Sequence, residues 1–345
     1  MKKHINIPLF IPHLGCPNQC VFCNQRTISG VCEFEPERVR DIIEESLSTK
    51  PEGATAEIAF FGGSFTGIER ELMIKLLSIA KEYVDKELIS SIRCSTRPDY
   101  ITEEILDILK EYSVDTIELG IQTTSDEILK ITKRGHTFAD EVRAVKLVTS
   151  QGFTLVGQMM IGLPGSTIED EIKCAEFIIK SGAKFARIYP TVVFRDTELY
   201  SMTRNGEYKP LSVEEATERS AVILSMLREN GVRVIRVGLC ASENLISDKT
   251  YFAGPNHPAL GELVENKVYL SKMEKAIKES YNDLPKTVMF LIPRGARSKV
   301  VGQKRCNIKR LSELYGIKDV RLTESEGVNE GFVTLINQER KSKCI

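Results

Sequence analysis

The sequence has almost no net charge, few histidines and no long apolar run, and each shortage removes a class of function. Lysine plus arginine (47) nearly match aspartate plus glutamate (48), leaving a formal charge of −1. The surface as a whole is therefore no magnet for nucleic acid or membrane, and any such affinity must be local. No apolar stretch approaches the roughly 20 residues that span a bilayer. The N-terminal MKKHINIPLFIPHLG places two lysines before an apolar stretch, but Pro8 and Pro12 interrupt it and no small-residue cleavage site follows. It reads as a first strand, and a cytoplasmic location with no membrane partner is expected. The four histidines show no partner arrangement of a nucleophilic triad. Repeats and low-complexity stretches are absent. Nine cysteines in 345 residues are an odd number for a secreted disulfide framework. Cys32, Cys94, Cys174, Cys240, Cys306 and Cys344 are scattered, and most of them read as small buried hydrophobes, with Cys240 in RVGLCAS kept as a candidate additional ligand.

What is present is an alternation. Apolar, β-branched runs (His4–Ile11, Glu57–Phe61, Ser91–Ser95, Thr116–Ile121, Thr154–Ile161, Phe185–Val193) alternate with helix-period segments such as RELMIKLLSIAKEYV and IEDEIKCAEFIIKSG. Six strand-then-helix units in series predict an α/β fold, a partial (β/α)6 barrel with right-handed crossovers. A further helix and the strand VRVIRVGL close or extend the sheet. In such barrels chemistry sits at the C-terminal ends of the strands, and each unusual loop falls there: three cysteines after strand one, then GGSFTG, STRPDY, GIQTTS, GLPGST and PTVVFRDT. The division is expected at residues 1–245 for the barrel and 246–345 for a smaller α+β domain.

The three cysteines, Cys16, Cys20 and Cys23, lie in HLGCPNQCVFCNQ. A structural zinc site completed by a distant residue such as His13 is one reading, but such sites are four-coordinate and usually use two ligand pairs, and no second pair exists. An iron–sulfur cluster is the other. A [4Fe-4S] cube held by three thiolates leaves one iron open to a further ligand. Gly15 and Pro17 keep the segment out of a helix so that it can wrap a cube, and Phe22 is placed to shield one face.

This pattern resembles the radical S-adenosylmethionine (radical SAM) superfamily over residues 4–240. The resemblance implies a [4Fe-4S] cluster whose free iron chelates S-adenosylmethionine, reductive cleavage to a deoxyadenosyl radical, and an electron donor such as flavodoxin or ferredoxin. It further implies that Gly62, Gly63 and Ser64 hold the methionine ammonium, although the family often has Glu where Ser64 stands. Ser95 with Arg97, and Gln122 with Arg134, would meet the ribose and carboxylate, and Met160 and Gly162 in MMIGLPG the adenine. STRPDY, IELGIQT, KRGHT, GFTLVGQMMIGLP and RIYPTVVFRDTELYSMTRNGEYKPLSVEE resemble more specifically the radical domain of the Elongator catalytic subunit, which modifies wobble uridine in tRNA. Two departures stand out: a first cysteine interval of three residues, narrower than in that group, and no recognisable acetyl-coenzyme A loop.

Residues 286–325 read strand, short helix, glycine loop, helix, strand, resembling a KH module at about 285–337, in which a G-x-x-G loop clamps a nucleic-acid backbone. Here the loop is Gly302-Gln303-Lys304-Arg305, with arginine for the second glycine. From Pro293 to Arg310 there are seven basic residues, including Arg294, Arg297 and Lys299, and no acidic one, the footprint of phosphate contacts. The expected function is therefore modification of RNA, tRNA foremost, with Tyr189 and Arg195 as candidates on the substrate side. Two alternatives remain open: a radical SAM enzyme acting on a small anionic metabolite such as a porphyrin precursor, and a non-enzymatic iron–sulfur RNA-binding protein.

Overall fold

The computed structural model describes residues 4–17, 19–31, 33–239, 247, 249–281 and 285–336. Its strands are β1 (His4–Phe10), β2 (Thr55–Phe61), β3 (Ser91–Thr96), β4 (Val114–Gln122), β5 (Thr154–Ile161), β6 (Phe185–Pro190), β7 (Val193–Phe194), β8 (Arg233–Val237), β9 (Tyr251–Ala253), β10 (Thr287–Pro293), β11 (Asp319–Ser325) and β12 (Thr334–Leu335). Its helices are α1 (Gln25–Ser29), α2 (Val39–Ser48), α3 (Arg70–Asp85), α4 (Glu103–Glu111), α5 (Asp126–Ile131), α6 (Phe138–Ser150), α7 (Ile168–Lys180), α8 (Glu198–Arg204), α9 (Val213–Glu229), α10 (Leu260–Ser280), α11 (Arg297–Val301) and α12 (Cys306–Tyr315).

Seven strands form one parallel sheet in the order β1-β2-β3-β4-β5-β6-β8. Each new strand joins the same edge, so the sheet curls into an open barrel with helices outside. The two-residue alternation of a strand separates its faces. Ile92 and Cys94 of β3, Ile117 and Leu119 of β4, and Met159 and Ile161 of β5 enter the core beneath the helices. The helices answer at three- and four-residue spacing, with Leu76, Leu77 and Ala80 of α3, Ala144, Val145 and Val148 of α6, and Cys174, Ala175 and Ile178 of α7. Capping boxes at Thr137/Asp140, Thr167/Asp170 and Ser212/Glu215 fix three helix starts.

The structure departs from the sequence reading in one run. The strand expected over Phe185–Val193 stops at Pro190, and β7 leaves the barrel to pair antiparallel with β9. VRVIRVGL supplies β8 as the seventh barrel strand.

Beyond the barrel, β10 pairs parallel with β11 and antiparallel with β12. The helix α10 serves both cores. Val264 and Val268 pack into the barrel core, whereas Tyr269, Met273 and Ile277 join Val288, Phe290, Ile292, Val300 and Leu311 in the second. Arg228 of α9 grips Glu265 of α10 through two hydrogen bonds, 2.8 and 3.1 Å. Residues 240–246, where the expected division and Cys240 fall, lie outside the described residues. No described helix is long and apolar enough to cross a membrane.

Inside the second core, Asn307 donates from one amide nitrogen to the backbone carbonyls of Asn266 (2.8 Å) and Val300 (3.0 Å). Replacing it with Ala removes both bonds from a buried site. The Asn307→Ala variant is expected to lose about 1–3 kcal/mol of stability, read from its urea midpoint against wild type.

Candidate functional site at the barrel rim

The cysteine loop is tied down at four places. Ile11 N–H donates to Phe61 O (2.7 Å), Ser64 N–H to Leu14 O (3.1 Å), Val21 N–H to Thr132 O (3.2 Å), and Leu199 N–H to Val21 O (2.8 Å). The loop thus rests on β2's glycine turn, on the segment after α5 and on α8. A Cβ on Gly15 would fall on the carbonyl oxygen of Ser64, and one on Gly63 on that of Leu14. The two backbones touch, and only glycine permits it. His13 Nε2 accepts the N–H of Gln25 at 3.0 Å, so this ring closes the loop on itself rather than pointing to a metal.

Cys20 is buried, and Cys16 and Cys23 are half-buried. Burial, then the Cys20 and Cys16 thiols beside it, push Cys23 up to about 12, and burial and Cys20 push Cys16 up. Cys16 and Cys23, which resist ionisation alone, fit a cationic metal core, which deprotonates its ligands outright. Among the described residues no three His, Cys, Asp or Glu side chains converge on a single-ion site. Cys16 and Cys20 nonetheless lie close enough to raise Cys23, and three neighbouring thiolates suit a cluster, where each takes its own iron.

Around them the rim carries unspent hydrogen-bonding capacity. Arg134 Nη1 donates to Cys20 Sγ (3.4 Å) and Nη2 to Gly120 O, while its Nε is buried without a partner. Arg97 is held by Asp99 through two 2.9 Å bonds and donates to Arg134 O, leaving Nη1 buried and unpartnered. Gln122, at φ 69°, has its Oε1 likewise unpartnered. A Cβ on Gly120 would lie 3.0 Å from Gln122 Nε2 and 3.3 Å from Arg134 Nη2, so these side chains share one wall. Two donors and an acceptor buried beside the thiols fit the polar groups of S-adenosylmethionine.

Other residues singled out in the sequence are used by the protein itself. Ser64 Oγ bonds Thr96 Oγ1 (2.8 Å) and accepts from Arg97 N–H (3.2 Å). Ser95 accepts from Gln158 at 3.1 Å. Gly162 donates to Glu171 (2.7 Å) and accepts from Tyr208 OH (2.6 Å). Met160 is half-buried on β5. Tyr189 sits beside Arg187, whose Nη1 reaches its hydroxyl at 3.4 Å; Arg195 lies past β7, its guanidinium over Phe252.

Sequence reasoning missed a buried polar network in the barrel interior. Arg93 of β3 donates to Glu57 of β2 and to Glu118 of β4, both at 2.8 Å. Arg187 of β6 and Gln158 of β5 also donate to Glu118, at 2.9 and 2.8 Å. The signal was a charged or amide residue at alternate positions of otherwise apolar strands.

The basic set of the C-terminal lobe divides in two. Arg294 pairs with Glu326 (2.9 Å), Arg297 with Glu324 (3.9 Å), and Lys299 with Glu330 (2.9 Å) and Glu265 (3.6 Å). Lys304, Arg305, Lys309 and Arg310 are exposed; among the described residues no carboxylate pairs with them. Gln303, Lys304 and Arg305 form a tight turn before α12, with Lys304 and Arg305 both at positive φ. A Cβ on Gly302 would meet Asn307, so the loop's glycine serves packing against α12.

With this geometry in hand, the relationships of the chain are informative. Residues 10–178 match the model of the radical SAM superfamily, and residues 183–269 that of the radical SAM C-terminal domain. The tRNA uridine(34) acetyltransferase of Methanocaldococcus infernus is 35% identical over 172 residues, 49% of this chain and 31% of that protein. Human Elongator complex protein 3 is 31% identical over 189 residues, 53% of this chain and 34% of that protein. The aligned stretches thus span about a third of these curated relatives. Among solved structures, archaeal M. infernus Elp3 with an N-terminal deletion superposes with a TM-score of 0.62 at 25% identity, covering 80% of this chain and 64% of that one. The chain belongs to the radical SAM superfamily. It is an enzyme of the class that uses a [4Fe-4S] cluster and S-adenosylmethionine, and its radical SAM region is homologous to that of Elp3 and the tRNA uridine acetyltransferases.

Two expectations test this interior. Removing Glu118, which is fully buried, takes away the carboxylate that Arg187 pairs with and one of the two on Arg93, which keeps Glu57. Glu118→Ala is expected to cost about 3–5 kcal/mol, measured by urea unfolding. The second concerns His136, whose Nε2 lies 3.1 Å from Glu141 Oε1 with both side chains buried. Burial, then the Arg134 and Arg97 charges, push His136 down to about 4, and burial pushes Glu141 up to about 9. The His136 contribution is complete above its ordinary 6.5 and lost as pH falls. The Glu141 contribution is complete below its ordinary 4.5 and lost as pH rises through about 9. From neutral pH to about 9 only the Glu141 half of the pair changes, so Glu141→Gln should flatten the decline in wild-type stability over that window, read from urea midpoints.

Proposed function

We propose that this radical SAM enzyme modifies RNA, with tRNA as its substrate class. The observation that carries the reading is the likeness to archaeal Elp3 over 80% of the chain, joined by sequence identity to tRNA uridine(34) acetyltransferases. In this reading Cys16, Cys20 and Cys23 hold the cluster. When bound, cluster and S-adenosylmethionine would supply one-electron, radical chemistry for activating a C–H bond of the substrate.

The chain's own residues bind, orient and exclude water. Gly62 and Gly63 bring backbone carbonyls to the methionine end. The guanidinium groups of Arg97 and Arg134 and the amide of Gln122 meet its carboxylate and ribose. Ser64 positions Arg97 through its backbone, Ser95 and Met160 line the interior face, and Gly162 sets the rim turn. Phe22 shields the loop between two thiols. Tyr189 and Arg195 face the substrate side. Lys304 and Arg305, with Gly302 and Gln303 shaping their turn, contact phosphates, while Arg294, Arg297 and Lys299 reach RNA only by exchanging carboxylate partners. A one-electron donor such as flavodoxin or ferredoxin completes the cycle.

The deciding measurement is deoxyadenosine release from the anaerobically reconstituted, reduced protein with S-adenosylmethionine, with and without bulk tRNA. Release that rises with tRNA supports the proposal. Release indifferent to tRNA sinks the RNA assignment and points to a small anionic substrate, and no release with an intact cluster points to a binding protein. Cys16→Ala, Cys20→Ala and Cys23→Ala should each lower bound iron and abolish release. The double variant Lys304→Glu/Arg305→Glu should weaken tRNA binding and reduce the slope of log affinity against log salt by about 2.

A further inference from the structure

Beside the cysteine loop lies a group of side chains of which the reading above uses only Arg195. Tyr200 of α8 and Phe252 of β9 meet edge to face, with ring centroids 4.8 Å apart at 89°. The Arg195 guanidinium lies over both rings, 5.3 Å from Phe252 and 5.8 Å from Tyr200, and that of Arg204 lies 6.0 Å from Tyr200. Arg204 Nη1 also reaches the Tyr200 hydroxyl at 3.4 Å. Arg204 is exposed, and Arg195, Tyr200 and Phe252 are half-buried. Two aromatic rings left partly in water beside two guanidinium groups put π-faces and cationic donors in one place.

The group is held against the reactive loop by backbone. Leu199, adjacent to Tyr200, donates its N–H to Val21 O at 2.8 Å, and Val21 stands between Cys20 and Cys23. Phe22, Tyr200 and Phe252 pack around the same small core of Val21, Val193, Leu199 and Tyr208. Lys133 and Glu198 add an ion pair of 2.6 Å. On the other side, Arg195 N–H donates to Thr250 O at 2.8 Å, fastening β7 to β9. Any ligand on these rings therefore sits at the edge of the cluster loop.

We infer that Tyr200, Phe252, Arg195 and Arg204 form a stacking site for an unpaired nucleobase of the substrate. Aromatic faces accept any base, and guanidinium planes stack on bases. A base inside a duplex offers no free face. The site therefore selects single-stranded RNA, such as a loop, over paired RNA of equal charge. This inference rests on RNA being the substrate.

The test uses the full chain with its cluster reconstituted, a fluorescently labelled RNA stem–loop, and the same strand annealed to its complement. Wild type should bind the stem–loop more tightly than the duplex. Phe252→Leu and Tyr200→Leu, which keep apolar bulk but lose the π-face, should weaken stem–loop binding about tenfold or more, with duplex binding unchanged and iron content at wild-type level. Tyr200→Phe should restore stem–loop binding. If the leucine variants bind the stem–loop as wild type does, or weaken both RNAs equally, the stacking site is overturned while the RNA reading stands. If wild type binds neither RNA, the RNA reading fails and this inference with it.

Discussion

The carboxylate of Glu118 is the point on which the interior depends. It sits on the middle strand of seven, wholly out of water, and its two oxygens take hydrogen bonds from β3, β5 and β6. Through Arg93 the set extends to Glu57 on β2. An open sheet of parallel strands has no closing seam to hold its curvature, and backbone ladders act only between neighbours. A charged knot reaching across five strands resists flattening where the ladder cannot. Its cost is borne by pairing: two carboxylates face two guanidiniums, so no net charge is buried.

That fixed curvature decides what the rim can do. The loops after β1 and β2 meet only because Gly15 and Gly63 bring backbone against backbone. Arg97 and Arg134 then lie in one wall beside the thiols. Each guanidinium is anchored by some of its nitrogens and keeps another unspent. A side chain already oriented in a dry wall loses little freedom when a ligand arrives. The same economy explains Ser64, whose hydroxyl holds strand three's rim in place.

Much of this was legible in the order of residues. Strand-then-helix units announced themselves because each strand carries an apolar outward set and each helix a matching stripe, and because loops rich in glycine, proline and serine recur at one end of the strands. The thiol spacing pointed to iron on its own. What stayed hidden were meetings over distance. Arg134 reaches Cys20 across 114 positions, and Glu118 finds partners 25, 40 and 69 positions away. In the one-letter string those charges look like solvent-facing residues of half-buried strands. The basic stretch misled in the opposite sense, since the acids that neutralise Arg294, Arg297 and Lys299 lie outside it, at Glu265, Glu324, Glu326 and Glu330. Nor does anything in LGELVENKVYLSKMEKAIKES reveal that its two halves belong to different cores.

That shared helix has a mechanical meaning. At 21 residues and about 1.5 Å per residue, α10 is a strut with one end sunk in the barrel and the other in the C-terminal lobe. Lobes joined by a flexible tether sample many separations; lobes sharing a strut keep one. A helix that is part of both cores cannot let one drift from the other without bending or unfolding itself, so the span between them is set by helix geometry.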